Sequence, residues 1–322
     1  MTHFDVFNGD ADGLCALRQW RLADPAAATR ITGVKRDIRL LAGIEAGPGD
    51  VLTIFDISLD SNRDDALRLL AAGADLRWFD HHYAGDAIEH PRFTATLDPA
   101  PDVCTSLLVD RVLGGAHRAW AVVGAFGDNL HEAATAAAAP LGLTAEELHA
   151  LADLGELLNY NGYGDSLADL HFPPAALYEA LTGFAEPLDF VRGSPAYGRL
   201  AAGFAADMAA CASLTPALES EHAAAWLLPD AAWARRAVGV MANRQASAHR
   251  GRAHALLVPD GRGTLTVSVR AAKANPTGAD ALCRRYPGGG GRQAAAGINR
   301  LPAQDAGRFI AEFAAYFAGA LN

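Results

Sequence analysis

The 322 residues are 51% hydrophobic and 20% charged, enough core material for two domains and too apolar for a disordered chain. A formal net charge of −10 and a pI of about 5.5 exclude a protein that coats long duplex nucleic acid through a basic surface. They leave open a short phosphate-bearing substrate held by metal ions and a few arginines.

Four scattered cysteines, Cys15, Cys104, Cys211 and Cys283, make no C-x-x-C pair, which fits reduced thiols better than a disulfide frame or a zinc knot. The N-terminus has no basic segment leading into an apolar run, and the alanine-rich stretch 133–139 is too short to span a bilayer. The expectation is a soluble cytoplasmic protein with no membrane partner.

Residues 4–7 read as a first strand, followed by Asn8-Gly9-Asp10-Ala11-Asp12-Gly13 and a helix from near Leu14. Residues two apart in an extended segment share a side, so Asp10 and Asp12 can face one point. An Asp/Gly turn that merely caps the next helix explains the same residues. Residues 30–35 read as a second strand ending in Lys35-Arg36, two cations suited either to a phosphate or to solvent.

Residues 51–55 are a continuous apolar run of the buried parallel-sheet kind, closed by Asp56. A carboxylate directly after a buried strand is costly unless it is paired or bound to a metal. A helix capped near Asp60 runs to about residue 72, and residues 74–79 form a fourth strand ending in Asp80-His81-His82. Carboxylate and imidazole together suit Mn²⁺, Mg²⁺, Fe²⁺ or Zn²⁺, while two surface histidines in a turn are the plain alternative. Strands alternating with helices predict a doubly wound, mostly parallel α/β sheet, whose ligands gather at the carboxyl ends of the strands.

A fifth strand is expected at 94–98 and a helix at 103–113. The apolar segment 120–126 closes in Gly127-Asp128-Asn129, and an amphipathic helix covers 144–158. The polar, aromatic segment 159–165 reads either as a functional loop or as an ordinary helix-ending one. Residues 190–195 have the Gly and Pro of a linker, and a long alanine-rich helix covers 196–213. The expected division is a first domain at 1–195, a linker helix at 196–222 and a smaller α/β domain at 223–322.

In that last domain, strands are expected at 224–228, 253–258 and 265–270, and helices at 235–248, 278–286 and 303–317. The glycine run ending in Gly289, Gly290 and Gly291 offers backbone N–H groups to an anionic oxygen, and Arg292 beside it can grip a phosphate bidentately. A flexible hairpin is the competing reading.

Taken in order, the acidic positions resemble the motifs of the DHH phosphoesterase superfamily. Asp10-Ala11-Asp12-Gly13 is similar to its first motif, Asp56 to the second, Asp80-His81-His82 to the third and Asp128 to the fourth. Gly289-Gly290-Gly291-Arg292-Gln293-Ala294-Ala295-Ala296-Gly297 resembles the GGGHxxAAG hallmark of the DHH-associated domain. Val267-Ser268-Val269-Arg270 resembles the strand that supplies its substrate-facing arginine. Three positions depart from the pattern. Val6 stands where the pyrophosphatase and nanoRNase branches carry a His, and Asn8 stands where RecJ-like nucleases carry an Asp. Arg292 replaces the His of the glycine motif.

The resemblance implies hydrolysis of a phosphate ester or anhydride with two divalent ions, most often manganese. It assigns Asp56 as the bridging carboxylate, Asp10 with Asn8 as a further candidate on one ion, and Asp12, His81 and Asp128 on the other. Asp80 would orient His81, and His82 would face the phosphate as the catalytic acid or charge stabiliser. Thr105 and Ser106 are candidates for an added hydroxyl. Arg270, Gly289, Gly290, Gly291 and Arg292 would bind the far end of the substrate.

The expected enzyme is a manganese-dependent phosphodiesterase of linear dinucleotides, nanoRNA or cyclic dinucleotides. The alternatives are a pyrophosphatase or polyphosphatase, a RecJ-like single-strand exonuclease, and a nucleotide sensor without turnover. A homodimer is a further expectation from the resemblance.

Overall fold

Alternation along three strands decides how the first sheet is covered. The chain opens with β1 (His3–Phe7), α1 (Ala11–Ala23), β2 (Thr29–Ile31), β3 (Val51–Phe55), α2 (Arg63–Ala71), β4 (Asp75–Asp80) and β5 (Phe93–Leu97). Val6, Leu52, Ile54, Leu76 and Trp78 share one face and pack with Ala66, Leu69 and Leu70 of α2. Their neighbours Phe55 and Phe79 stack on the opposite face at 5.4 Å and meet Trp20 of α1. This period of two puts a helix on each face of the sheet.

The computed structural model describes residues 1–319 and divides into two compact units, Met1–Ala202 and the residues from Gly203 onward. The end of the expected C-terminal domain, residues 320–322, lies outside the described residues. In the first unit the sheet order is β2-β1-β3-β4-β5, every pair parallel, so the doubly wound fold is present. After β5 the unit is helical: α3 (Thr105–Val112), α4 (Arg118–Gly127), α5 (His131–Ala138), α6 (Ala145–Gly162), α7 (Pro174–Thr182), α8 (Pro187–Gly193) and α9 (Pro195–Ala212). Helix α9 runs on past Ala202 into the second unit.

Three expectations about elements are corrected. The second strand is only β2, Thr29–Ile31, so Lys35 lies in a loop beyond it rather than at a strand end. The supposed linker at 190–195 is the end of α8 and the start of α9; proline is favoured in a helix's first turn, where its missing N–H is no loss. Asn159–Gly162 belong to the last turn of α6, not to a loop.

The second unit holds β6 (Leu218–Glu219), β7 (Ala223–Leu227), α10 (Ala232–Ala248), β8 (Ala253–Pro259), β9 (Thr264–Arg270), α11 (Ala279–Cys283), β10 (Gly289–Gly291), β11 (Ala295–Pro302) and α12 (Ala306–Phe317). Its mixed sheet has the order β10-β11-β9-β8-β7-β6, with only β7 and β8 parallel. Ala224, Trp226, Leu256 and Val258 pack toward α10. Leu257, Val267, Val269 and Ile298 pack toward α12, through Phe309 and Phe313. Among the described residues no helix is long and apolar enough to cross a membrane.

His254 on β8 is fully buried, stacks on Trp226 at 6.0 Å, and finds no hydrogen-bond partner for either ring nitrogen among the described residues. Burial, with His249 and Arg252 adding to it, lowers its pKa to about 4. The unfolded chain therefore takes up a proton below about pH 6.5 that the folded chain refuses until about pH 4. Stability held above pH 6.5 is lost on acidification through that window, by about 3 kcal/mol. We expect His254→Phe to abolish this component. Urea titrations of both proteins at pH 7 and pH 4 check it, and an unchanged gap between them refutes it.

Candidate metal centre

The carboxyl ends of β1, β3 and β4 meet where the strand order leaves β1 to run outward in both directions, the crevice that binds ligands in such sheets. Local structure aims each side chain there. Asp10 is the N-cap of α1, its Oδ1 accepting from the N–H groups of Asp12 (3.1 Å) and Gly13 (3.2 Å). Asp12 lies in the first turn of α1 and caps a different helix. Its two oxygens accept from the N–H groups of Thr105 and Ser106, each at 2.7 Å, at the start of α3. Cys104 makes no side-chain cap there, so Asp12 satisfies N–H groups that a helix start leaves unpaired.

Asp56 leaves β3 in the left-handed conformation, φ 57°, which Asp tolerates better than most residues. Its N–H donates to Phe79 O at 3.0 Å, tying the end of β3 to β4. Asp128 is the C-cap of α4. Asn129 follows at φ 61°, with Asn129 N donating to Phe126 O and Leu130 N to Ala125 O, a Schellman ending that sets the position of Asp128.

His81 Nδ1 lies 2.9 Å from Val103 O, a pure acceptor, so Nδ1 carries the proton. Nε2 then faces Asp56 Oδ1 at 3.5 Å and Asp128 Oδ2 at 3.7 Å. His82 Nδ1 meets Asp80 Oδ1 at 2.7 Å, and the His82 side chain is 46% exposed. Asp80 is thus the partner of His82, and the expectation that it orients His81 is corrected: the Val103 carbonyl does so. Each imidazole has one Nδ1: that of His81 is taken by the Val103 carbonyl and that of His82 by Asp80.

Two ligand sets follow, Asp12 with His81 and Asp128, and Asp56 with His81 and His82. In each, the ligand atoms lie within 4.8 Å of one another. Asn8, directly after β1, is buried, its Oδ1 without a hydrogen-bond partner among the described residues. Burial raises the Asp56 carboxyl well above its usual range, and Asp10 and Asp12 add to the rise against the pull of His81. Burial also raises Asp128, helped by Asp12 and Asp10 and opposed by Lys35. Burial disfavours charge on His81, yet Asp56, Asp12 and Asp128 outweigh it and hold the imidazole up at about 10. A buried group of carboxylates that repel one another and draw in a proton fits a hard divalent cation, with oxygen and imidazole donors of the right kind.

Sequence reasoning missed the weight of Lys35. Its Nζ lies 2.5 Å from Asp10 Oδ2, 2.9 Å from Asn159 Oδ1 and 3.8 Å from Asp128 Oδ1. Burial opposes the lysine charge, but Asp10, Tyr163 and Asp128 outweigh it and raise its pKa well above the ordinary value. The available signals were the basic pair after the second strand and the unusual polarity of residues 159–165.

Ser106 Oγ donates to Ala121 O, and Thr105 Oγ1 lies 3.3 Å from Asp56 Oδ1. In the second unit, Arg270 Nε donates to Asn243 Oδ1 at 2.9 Å and Nη1 to Ser268 Oγ at 3.1 Å. Gly289, Gly290 and Gly291 form β10, an antiparallel hairpin with β11, and Arg292 is exposed at its turn.

No protein-family model and no curated protein matches the sequence. Solved structures do. RecJ of Thermus thermophilus in complex with Mn²⁺ aligns with 99% of the chain at 19% identity and a TM-score of 0.66, although the chain spans only 52% of that protein. An exonuclease RecJ bound to manganese aligns with 98% of the chain and 90% of its own length, at 20% identity and a TM-score of 0.59. PggH, a pGpG-specific phosphodiesterase of Vibrio cholerae, aligns with 99% of the chain and 100% of its own length, at 14% identity and a TM-score of 0.58. With its parallel first sheet and mixed second sheet, the chain has the fold of these RecJ and PggH structures.

Proposed function

We propose that the chain is a manganese-dependent phosphodiesterase acting on short nucleotides, linear dinucleotides first among them. The observation that carries the proposal is the convergence of Asp12, Asp56, His81 and Asp128 at the strand ends, with His81 turned so that Nε2 faces the carboxylates. The likeness to RecJ and to a pGpG-specific phosphodiesterase supports phosphoester hydrolysis. The net charge of −10 favours a short substrate over a long strand, which wants an electropositive track.

A divalent ion held by these residues supplies Lewis-acid chemistry, favouring loss of a proton from water and stabilising charge on phosphate oxygens. The chain's own groups do the rest. Asp80 accepts from His82 Nδ1 and holds the ring, leaving Nε2 to carry a proton for the leaving oxygen. The Lys35 ammonium adds fixed positive charge beside Asp10. Arg270 and Arg292 are proposed as phosphate-binding residues of the second unit.

A product assay tests this reading. The protein, with Mn²⁺ or with a chelator, is given 5′-phosphorylated dinucleotide, the cyclic dinucleotide, a longer single strand and pyrophosphate. Chelator-sensitive mononucleotide released fastest from the linear dinucleotide is the expected result. Orthophosphate from pyrophosphate alone moves the chain to an anhydride hydrolase. Steady shortening of the long strand makes it an exonuclease, and saturable binding without product makes it a sensor.

A further inference from the structure

We infer that Lys35 is a built-in cation that takes the place of one divalent ion, so that the chain binds a single Mn²⁺ beside a fixed ammonium. The inference deepens the metal-dependent reading above and rests on it.

The Lys35 ammonium is held as an ion is held. It has Asp10 Oδ2 at 2.5 Å, Asn159 Oδ1 at 2.9 Å and Asp128 Oδ1 at 3.8 Å, with the Tyr163 ring 5.5 Å below it. The backbone under it is equally fixed. Lys35 N donates to Gly162 O at 2.9 Å, and Val34 and Asp37 close the turn through Asp37 N to Val34 O and Val34 N to Asp37 Oδ2. The end of α6 presses on the same place: a Cβ on Gly162 would come within 3.1 Å of Asp10 Cα. This is a packed position, not a surface lysine that has folded inward.

The ligand sets divide the same way. Both triads of ligand atoms among the described residues share His81, and neither includes Asp10. Asp10 Oδ1 accepts two N–H groups and its Oδ2 is held by the Lys35 charge, whereas each Asp12 oxygen accepts one neutral N–H and keeps a lone pair for a metal. A second dication on this side would have to draw on the unpartnered Asn8 Oδ1, a neutral and weaker ligand than a carboxylate. It would also have to displace an ammonium from a buried ion pair. With its Nδ1 proton on Val103 O, His81 has one lone pair, on Nε2, so the two triads that share it serve one dication, and Lys35 supplies the other positive charge beside Asp10.

The count of metal ions decides. Wild type, dialysed against Mn²⁺ and analysed by atomic emission, is expected to hold one ion per chain, with the electron-paramagnetic spectrum of an isolated Mn²⁺. Lys35→Ala, and more strongly Asn8→Asp with Lys35→Ala, is expected to hold two, with an exchange-coupled spectrum. Asp12→Ala is expected to hold none. Two ions in wild type, with the Asp12→Ala count still falling, overturn the role of Lys35 and leave the metal site standing. No ion in wild type overturns the metal reading itself. Because the wild-type count answers the question alone, a poorly folding Lys35 variant does not blunt the test.

Discussion

His81→Ala is expected to abolish Mn²⁺-dependent hydrolysis while the fold survives. Every ligand set in the centre passes through His81 Nε2, so its loss leaves Asp12 and Asp128, or Asp56 and His82, without their common donor. Groups that only orient a metal ligand are worth roughly 10–100-fold, and a shared ligand is worth more, so we expect a loss of at least about 10³-fold. His81 follows the end of β4 and lies outside every helix and strand, so far-ultraviolet circular dichroism should be unchanged. His82→Ala is the informative companion. It should lower kcat by roughly 10²–10⁴-fold, the usual worth of a positioned proton donor, while Asp12, His81 and Asp128 keep Mn²⁺ bound. Initial rates at saturating Mn²⁺ test both, and a His81→Ala rate within tenfold of wild type would remove His81 from the centre.

Gly155→Ala is expected to destabilise the first unit and to weaken its metal binding together. Gly155 of α6 lies where α6 crosses α4. A Cβ there would come within 2.5 Å of Val123 O and 2.8 Å of Gly127 N, both backbone atoms that cannot rotate aside. Overpacking of this kind costs about 1–3 kcal/mol, or roughly 2–10 °C in Tm for a unit of this size. The displaced element is the end of α4, which carries Asp128 directly after Gly127. Thermal melts with and without Mn²⁺ separate the two effects: the metal-dependent rise in Tm should shrink as well as the baseline. A melt that moves by less than a degree would show that the crossing relaxes freely.

The acidic residues of the centre were legible in the sequence, for a physical reason. A carboxylate or histidine straight after a buried strand is expensive unless something binds it. The run before Asp56 shows its strand by continuous apolar character, the run before Asp80 by Leu76, Trp78 and Phe79 set among Asp75 and Arg77, and β3 spans Val51–Phe55 as expected. Alternation with helices then places those ends on one edge of a parallel sheet, and the doubly wound fold follows from local pattern. In the second unit β7, β8 and β9 were legible in the same way, whereas β6, β10 and β11, half of the mixed sheet, were not.

Only the tertiary structure decided who partners whom. Asp12 caps a helix 93 residues away, His81 is oriented by the carbonyl of Val103, and Asp80 belongs to His82. The helix end at Asn159–Gly162 reads locally as a loop, because its polar side chains face the Lys35 ammonium and the Phe172 backbone rather than solvent. Lys35 itself looks like any basic residue after a short strand. Its meaning comes from Asp10, Asn159 and Asp128, which approach it from three separate segments. Hydrophobic period and strand-end chemistry act within a few residues and are written along the chain. Charge pairing and ligand geometry act across a few ångströms of space, and exist only once the chain has folded.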